Sequence, residues 1–176
     1  MLNAFYDALP PFISSSLDTR SWRRLNASNV EIMIAQGRTM WNSLHSPLQT
    51  KIEHKMEKSH PDLPVFIMNN MYGCLLASNQ STNGTSLSRV AVSLFAIACM
   101  RVQGDVGPQL LGHVYGLKKA WTDGVWSSEP CVGSEEAMRW LTSDEGCIWV
   151  LRNVDELVAA VGSGSQTIPE PIKSSL

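Results

Sequence analysis

The run from Val90 to Met100 constrains this chain more than any other stretch. It is almost wholly apolar, is interrupted by Ser93 and is closed by Arg101. A bilayer span needs about 20 consecutive apolar residues, so the run is too short to cross a membrane, and it is long for a strand. It suits a helix buried in a protein core, which other elements must surround. The chain has 176 residues, enough for one such domain and short for two. Apolar side chains make up 44% of it and charged ones 17%, a balance that excludes disorder over most of its length.

Helix signals dominate on both sides of that run. Ser28 with Glu31 predicts a capping box, followed by Val30, Met33, Ile34, Gly37, Trp41 and Leu44 at helical spacing. Ser46-Pro47 predicts a restart with proline at the first helical position and Gln49 completing a second box. Leu48, Ile52 and Met56 would be its apolar stripe, and His60 to Pro64 a breaker. A third helix is expected over Val65 to Ala77, apolar on most sides and therefore buried, before a polar connection at 78–86.

Further helices are expected over Ser88 to Met100, Pro108 to Trp121, and Glu135 to Leu141 capped by Ser134. Asn153 with Glu156 forms a third capping box before Val154 to Val161, and Cys147 to Leu151 reads as helix over strand. No repeat is present. The expected fold is all-α, with one domain over residues 1–161 and a flexible tail over 162–176 rich in Gly, Ser and Pro.

Charge removes several function classes. Fourteen basic against 16 acidic side chains give a net charge of −2, and the one basic cluster is Arg20, Arg23 and Arg24. That cluster is too small to neutralise a row of phosphates, so nucleic acid is not an expected partner, and neither is a membrane. Met1 to Pro11 contains Asp7 and no basic residue, unlike a signal peptide, and the sequons at Asn26, Asn79 and Asn83 would then go unread. Cys74, Cys99, Cys131 and Cys147 form no CxxC; they read as free thiols, with Cys74 and Cys99 as small core residues. His45, His54 and His60 with Asp62 have no paired-ligand spacing, so no metal is expected.

One helix carries the chemical interest. Leu110, His113, Val114, Leu117 and Trp121 form one stripe, which turns His113 toward the interior. Gly112, Gly116 and Ala120 form a neighbouring small-residue stripe where a second helix can approach closely. Two readings of His113 stay open at this point. It is a core residue satisfied by one hydrogen bond, or it is a general acid or base left neutral by burial.

The block from Arg89 through Cys99, a turn, and then Gly-Pro-Gln-Leu-Leu-Gly-His113-Val-Tyr-Gly-Leu-Lys-Lys-Ala120 resembles the core of the alkylhydroperoxidase-D-like superfamily, and its carboxymuconolactone-decarboxylase-like branch in particular. His60 to Gly73 resembles the upstream helix of fungal members. The likeness spans about residues 28–161, with its specific motifs confined to 89–120. It implies an all-helical domain that assembles as a dimer, trimer or hexamer. It also implies chemistry with no metal or organic cofactor, centred on His113. Peroxidase members place a CxxC at the positions held here by Val106 and Gln109, so peroxide reduction by that mechanism is not expected.

Candidate helpers for His113 are Gln109, one turn before it; Arg101, as a carboxylate clamp; Asp105, in the turn; and Tyr72, on the third helix. The tryptophans Trp22, Trp41, Trp126, Trp140 and Trp149 read as packing residues. The expected function is decarboxylation, isomerisation or ring rearrangement of a small organic acid or polyketide-like molecule. The rival is a non-catalytic helical binding or assembly module, with thiol redox chemistry at Cys99 or Cys131 as a third reading. The expected compartment is the cytoplasm. The terminal Ser-Ser-Leu176 shares two residues with the peroxisomal Ser-Lys-Leu address, which keeps the peroxisomal matrix as the alternative.

Overall fold

A computed structural model describes residues 2–17, 19, 21, 23–76, 87–128 and 133–162, and all regular structure among them is helical. Trp22, the connection at 78–86, Asn79, Asn83, Cys131 and residues 163–176 of the expected tail lie outside the described residues, while Gly162 belongs to the last helix. Two short helices, α1 (Leu2–Asp7) and α2 (Pro11–Ser14), precede α3 (Val30–His45). Then come α4 (Gln49–Glu57) and α5 (Asp62–Phe66), which runs on into a π-helical segment at Ile67–Leu76. The chain continues through α6 (Arg89–Gln103), α7 (Gly107–Thr122), a 3-10 turn (Val125–Ser128), α8 (Glu135–Leu141) and α9 (Asp144–Gly162). No helix among the described residues is long and apolar enough to cross a membrane.

The helix ends show where local signals compete. The Ser28–Glu31 capping box does not form: Asn29 occupies the cap, and Ser28 instead bonds to Asn26, while Asn29 accepts from the Asn26 amide. The second box is absent as well. Pro47 lies in the turn, Leu48 is the cap, and the buried Gln49 Oε1 has no partner. The caps at Ser88 and Ser134 do form, each hydroxyl accepting the amide three residues on, at 3.1 and 3.2 Å. The third box is overruled because Asn153 sits inside the continuous α9, where its amide donates to the Trp149 carbonyl at 2.8 Å.

α6 joins two hydrophobic clusters. Val90 and Ile97 pack with Leu117, Ala120, Met138, Cys147 and Val150, while Val92 packs with Trp41, Leu44, Met68, Tyr72 and Leu76. At about 100° per residue, Arg89, Ser93 and Ala96 fall between those two faces. All three are buried, so a polar seam runs where the clusters meet.

The third helix and α6 are less enclosed than their composition suggests. Val65, Phe66, Met71 and Leu75 are exposed, and only Met68, Tyr72, Gly73 and Leu76 of the π-helical segment are buried. Cys99 is exposed rather than a core residue, and Cys74 is half-buried. Phe95, Cys99 and Val102 stand at i, i+4 and i+7 on a face of α6 that is exposed among the described residues.

Two close approaches hold the site elements. A Cβ on Gly37 would strike the backbone nitrogen of Gly73 and come within 2.8 Å of the Met68 carbonyl, so α3 and the π-helical segment meet backbone to backbone. On α7, a Cβ on Gly116 would lie 3.2 Å from Leu44 Cδ2, and Ala120 is fully buried. Gly112 has nothing within 4 Å, so the small-residue stripe is gripped only in its C-terminal half. Gly112→Ala should therefore stabilise the protein by about 0.5–1 kcal/mol through helix propensity alone. A urea midpoint equal to or below wild type would show an unseen contact at that position.

Candidate functional site

His113 lies on α7 with 5% of its surface exposed, as its apolar stripe predicts. Its ring faces that of His45, the last residue of α3, with centroids 5.4 Å apart and the planes nearly perpendicular. His45 Nε2 lies 3.1 Å from the Tyr72 hydroxyl, and Trp41 packs on the other side of His45 at 4.1 Å. The Trp41 indole is itself fixed, because its Nε1 donates to Glu53 at 2.8 Å and Glu53 also accepts from Arg38 at 2.7 Å. Three separate elements thus deliver Trp41, His45, Tyr72 and His113 to one place.

Behind them lies Arg89, 5% exposed and the first residue of α6. It donates to Asp123 at 2.8 Å, to the Ser43 hydroxyl at 3.3 Å and to the Gly116 carbonyl at 3.3 Å. Ser93, one turn along α6, is fully buried, and its hydroxyl lies 3.7 Å from the position a Cβ on Gly116 would take. Three buried polar atoms of this seam have no hydrogen-bond partner among the described residues: Arg89 Nε, Ser93 Oγ and His113 Nδ1. Buried polar atoms are nearly always satisfied, so three orphans at one crossing are unusual.

Burial sets the protonation states. It lowers His113 to about 4. It lowers His45 to about 4 as well, helped by the neighbouring His113 and then by Arg89. Burial also raises the Tyr72 phenol above its ordinary value. At neutral pH both imidazoles are therefore uncharged and the phenol is protonated. Desolvation raises the Asp123 carboxyl, but the Arg89 and Lys119 contacts outweigh it and hold the group below its usual range as the counter-ion of Arg89. One proton is shared between His45 and Tyr72, and either group can be its donor. Such a site can accept a proton on one imidazole and offer one from the phenol.

Of the residues expected beside His113, Tyr72 is brought to it through His45. The other three have no hydrogen bond or ring contact with this group. The Arg101 guanidinium, at the surface, is clamped by Asp155 through two bonds of 2.7 Å along its Nε–Nη2 edge. Gln109 is exposed near the start of α7. Asp105 is exposed in the turn with φ of 53°, and Val106, not Asp105, takes the cap of α7. Among the described residues no three His, Cys, Asp or Glu side chains stand close enough to hold a metal ion.

Sequence reasoning missed His45, Trp41 and Arg89. The signal for His45 was present. It follows Trp41 by four residues on the buried stripe of α3, a face that His54 and His60 do not share. Arg89 had a weaker signal, a lone cation opening the most apolar helix.

The chain is similar to Peroxisomal protein 2 of Saccharomyces cerevisiae, with 33% identity over 106 residues that cover 58% of this chain and 35% of that protein. It thus spans about a third of the length of that curated relative. No family model matches, and no solved structure matches.

Proposed function

We propose that the chain is a cofactor-independent acid/base enzyme of the carboxymuconolactone-decarboxylase-like type, within the alkylhydroperoxidase-D-like superfamily. Its reaction is a decarboxylation, isomerisation or ring rearrangement of a small organic acid or polyketide-like molecule. His113 is the proton-transfer group, and Tyr72 with His45 is the opposing donor. The observation that carries the reading is the buried His113 imidazole, uncharged at neutral pH, whose Nδ1 has no partner among the described residues and whose ring faces a second imidazole. A histidine kept only for packing is expected to make one hydrogen bond that satisfies it.

Assembly into a homo-oligomer belongs to the same reading. Phe95 and Val102 on α6, with Leu111 and Tyr115 on α7, are each about half exposed, an apolar surface that suits contact with another copy. Residence in the peroxisome is supported by the name of the yeast relative. The rival reading, a non-catalytic assembly module, draws on those same apolar faces.

A thermal-shift panel of lactones, β-keto acids and diketones separates the two. An enzyme should show at least one panel member that raises Tm and is converted. His113→Gln should then keep the shift while conversion falls by about 10²-fold or more. If nothing in the panel binds, and His113→Gln only lowers stability, the assembly module is the better account.

A further inference from the structure

The charges around His113 are already paired off. Among the described residues Arg89 is the one buried cation in contact with the seam, and Asp123, Ser43 and the Gly116 carbonyl engage it. Lys119, on the same side of α7, bonds to the Ser46 carbonyl at 2.8 Å and lies 3.4 Å from Asp123. Lys118 is held by Asp144 at the surface. A carboxylate entering the seam would meet two uncharged imidazoles, a phenol and a serine, with no unpaired cation among the described residues to offset its desolvation.

The orphan atoms describe the complementary ligand. Arg89 Nε–H is a donor, the Ser93 hydroxyl is a donor or acceptor, and His113 Nδ1 is an imidazole nitrogen. Arg89 and Ser93 meet α7 at Gly116, and His113 lies three residues before Gly116 on the same helix. Uncharged oxygen acceptors would satisfy the donors without adding charge. When His45 Nε2–H is the donor in their shared bond, the Tyr72 hydroxyl keeps its own proton and adds one further donor.

We infer that the site takes an uncharged, enolisable carbonyl compound and moves a proton between two of its carbons, with His113 as the base and the Tyr72 hydroxyl as the hydrogen-bond donor to the enolate oxygen. The inference rests on the acid/base reading above and narrows its substrate from acids to neutral ketones, diketones or lactones. The step balances within the substrate. The α C–H bond breaks and its electron pair forms the enolate double bond, while the proton passes to the His113 imidazole. In a substrate with a β,γ double bond, the β,γ π pair then takes that proton from the imidazolium at the γ carbon. The enolate double bond shifts to the α,β position and the carbonyl re-forms, giving the conjugated isomer with no oxidant, water or carbon dioxide exchanged.

The test uses the full chain with two probes at neutral pH. One is a β,γ-unsaturated cyclohexenone, whose conversion to the conjugated isomer is read by ultraviolet absorbance. The other is acetoacetate, whose decarboxylation is read as released carbon dioxide. The expected result is isomerisation at least tenfold above buffer, a roughly tenfold fall in Tyr72→Phe, and buffer-level rates in His113→Gln. Near-ultraviolet circular dichroism of both variants shows whether they are folded, and Tyr72→Phe removes only a hydroxyl. No acceleration of the ketone overturns the inference. If acetoacetate alone is accelerated and His113→Gln abolishes that, acid/base catalysis stands and its substrates are carboxylates. If His113→Gln keeps the ketone rate in a folded protein, the proton-transfer role of His113 fails and the inference with it.

Discussion

Replacing Gly37 by alanine should destabilise the protein by about 3 kcal/mol, although the substitution is favourable for an isolated helix. The added Cβ would strike the Gly73 backbone nitrogen and sit 2.6 Å from its Cα and 2.8 Å from the Met68 carbonyl. These are backbone atoms of a packed segment, so no flexible side chain can swing aside, and α3 must separate from the π-helical segment. Tm should fall on the order of 10 °C for a chain of this size. The damage should also reach the site, because the same contact sets His45 of α3 against Tyr72 of the π-helical segment at 3.1 Å. Comparing Gly37→Ala with Gly112→Ala by thermal melting is decisive: losses of similar size would mean that the close contact at Gly37 does not hold the fold.

Acidification should weaken the fold well before its carboxylates protonate. In the unfolded chain His45 and His113 take up protons near the ordinary value of about 6.5. In the folded protein burial delays both to about 4, and for His45 the neighbouring His113 and Arg89 add to the delay. Between these values the unfolded state binds more protons, so stability falls as pH drops through the window from about 6.5 to 4. The loss is about 3 kcal/mol for each imidazole. Asp123 and Asp155, both held below the usual carboxylate range by arginine partners, add their share only at lower pH. Urea midpoints at pH 7 and pH 4.5 should therefore differ strongly, and His113→Gln should remove at least half of the difference, since it also relieves His45. An unchanged slope in the variant would show that His113 is not the titrating group.

The all-helical architecture was legible because most of its helices carry a 3.6-residue period, as in α3 and α7. Helix ends were legible only where a serine cap had no competitor. Ser88 and Ser134 do cap, whereas Ser28 lost to Asn26 and Asn29, and the box at Asn153 was absorbed by α9. Which side of an apolar helix is covered is a tertiary property. Composition alone could not separate Ile97, which is enclosed, from Phe95 and Cys99, which are exposed.

The site was legible in part for a similar reason. The apolar stripe of α7 fixes where His113 points, and that placement holds. Its neighbours depend on contacts distant in sequence: Tyr72 reaches His45 across 27 positions, and Arg89 reaches Asp123 across 34. Arg101 looked available as a carboxylate clamp because Asp155, its partner 54 positions on, cannot be foreseen from the α6 sequence.

The central claim is that two uncharged imidazoles face each other in a buried polar seam. Long-range proton–nitrogen NMR of histidine-labelled protein, followed from pH 8 down to 4, measures this residue by residue. Histidine-to-glutamine variants would assign the signals. The account expects His45 and His113 to keep the nitrogen shifts of neutral tautomers down to about 4. Titration of either ring near 6.5 would contradict it, since an imidazole that charges so readily is in contact with water.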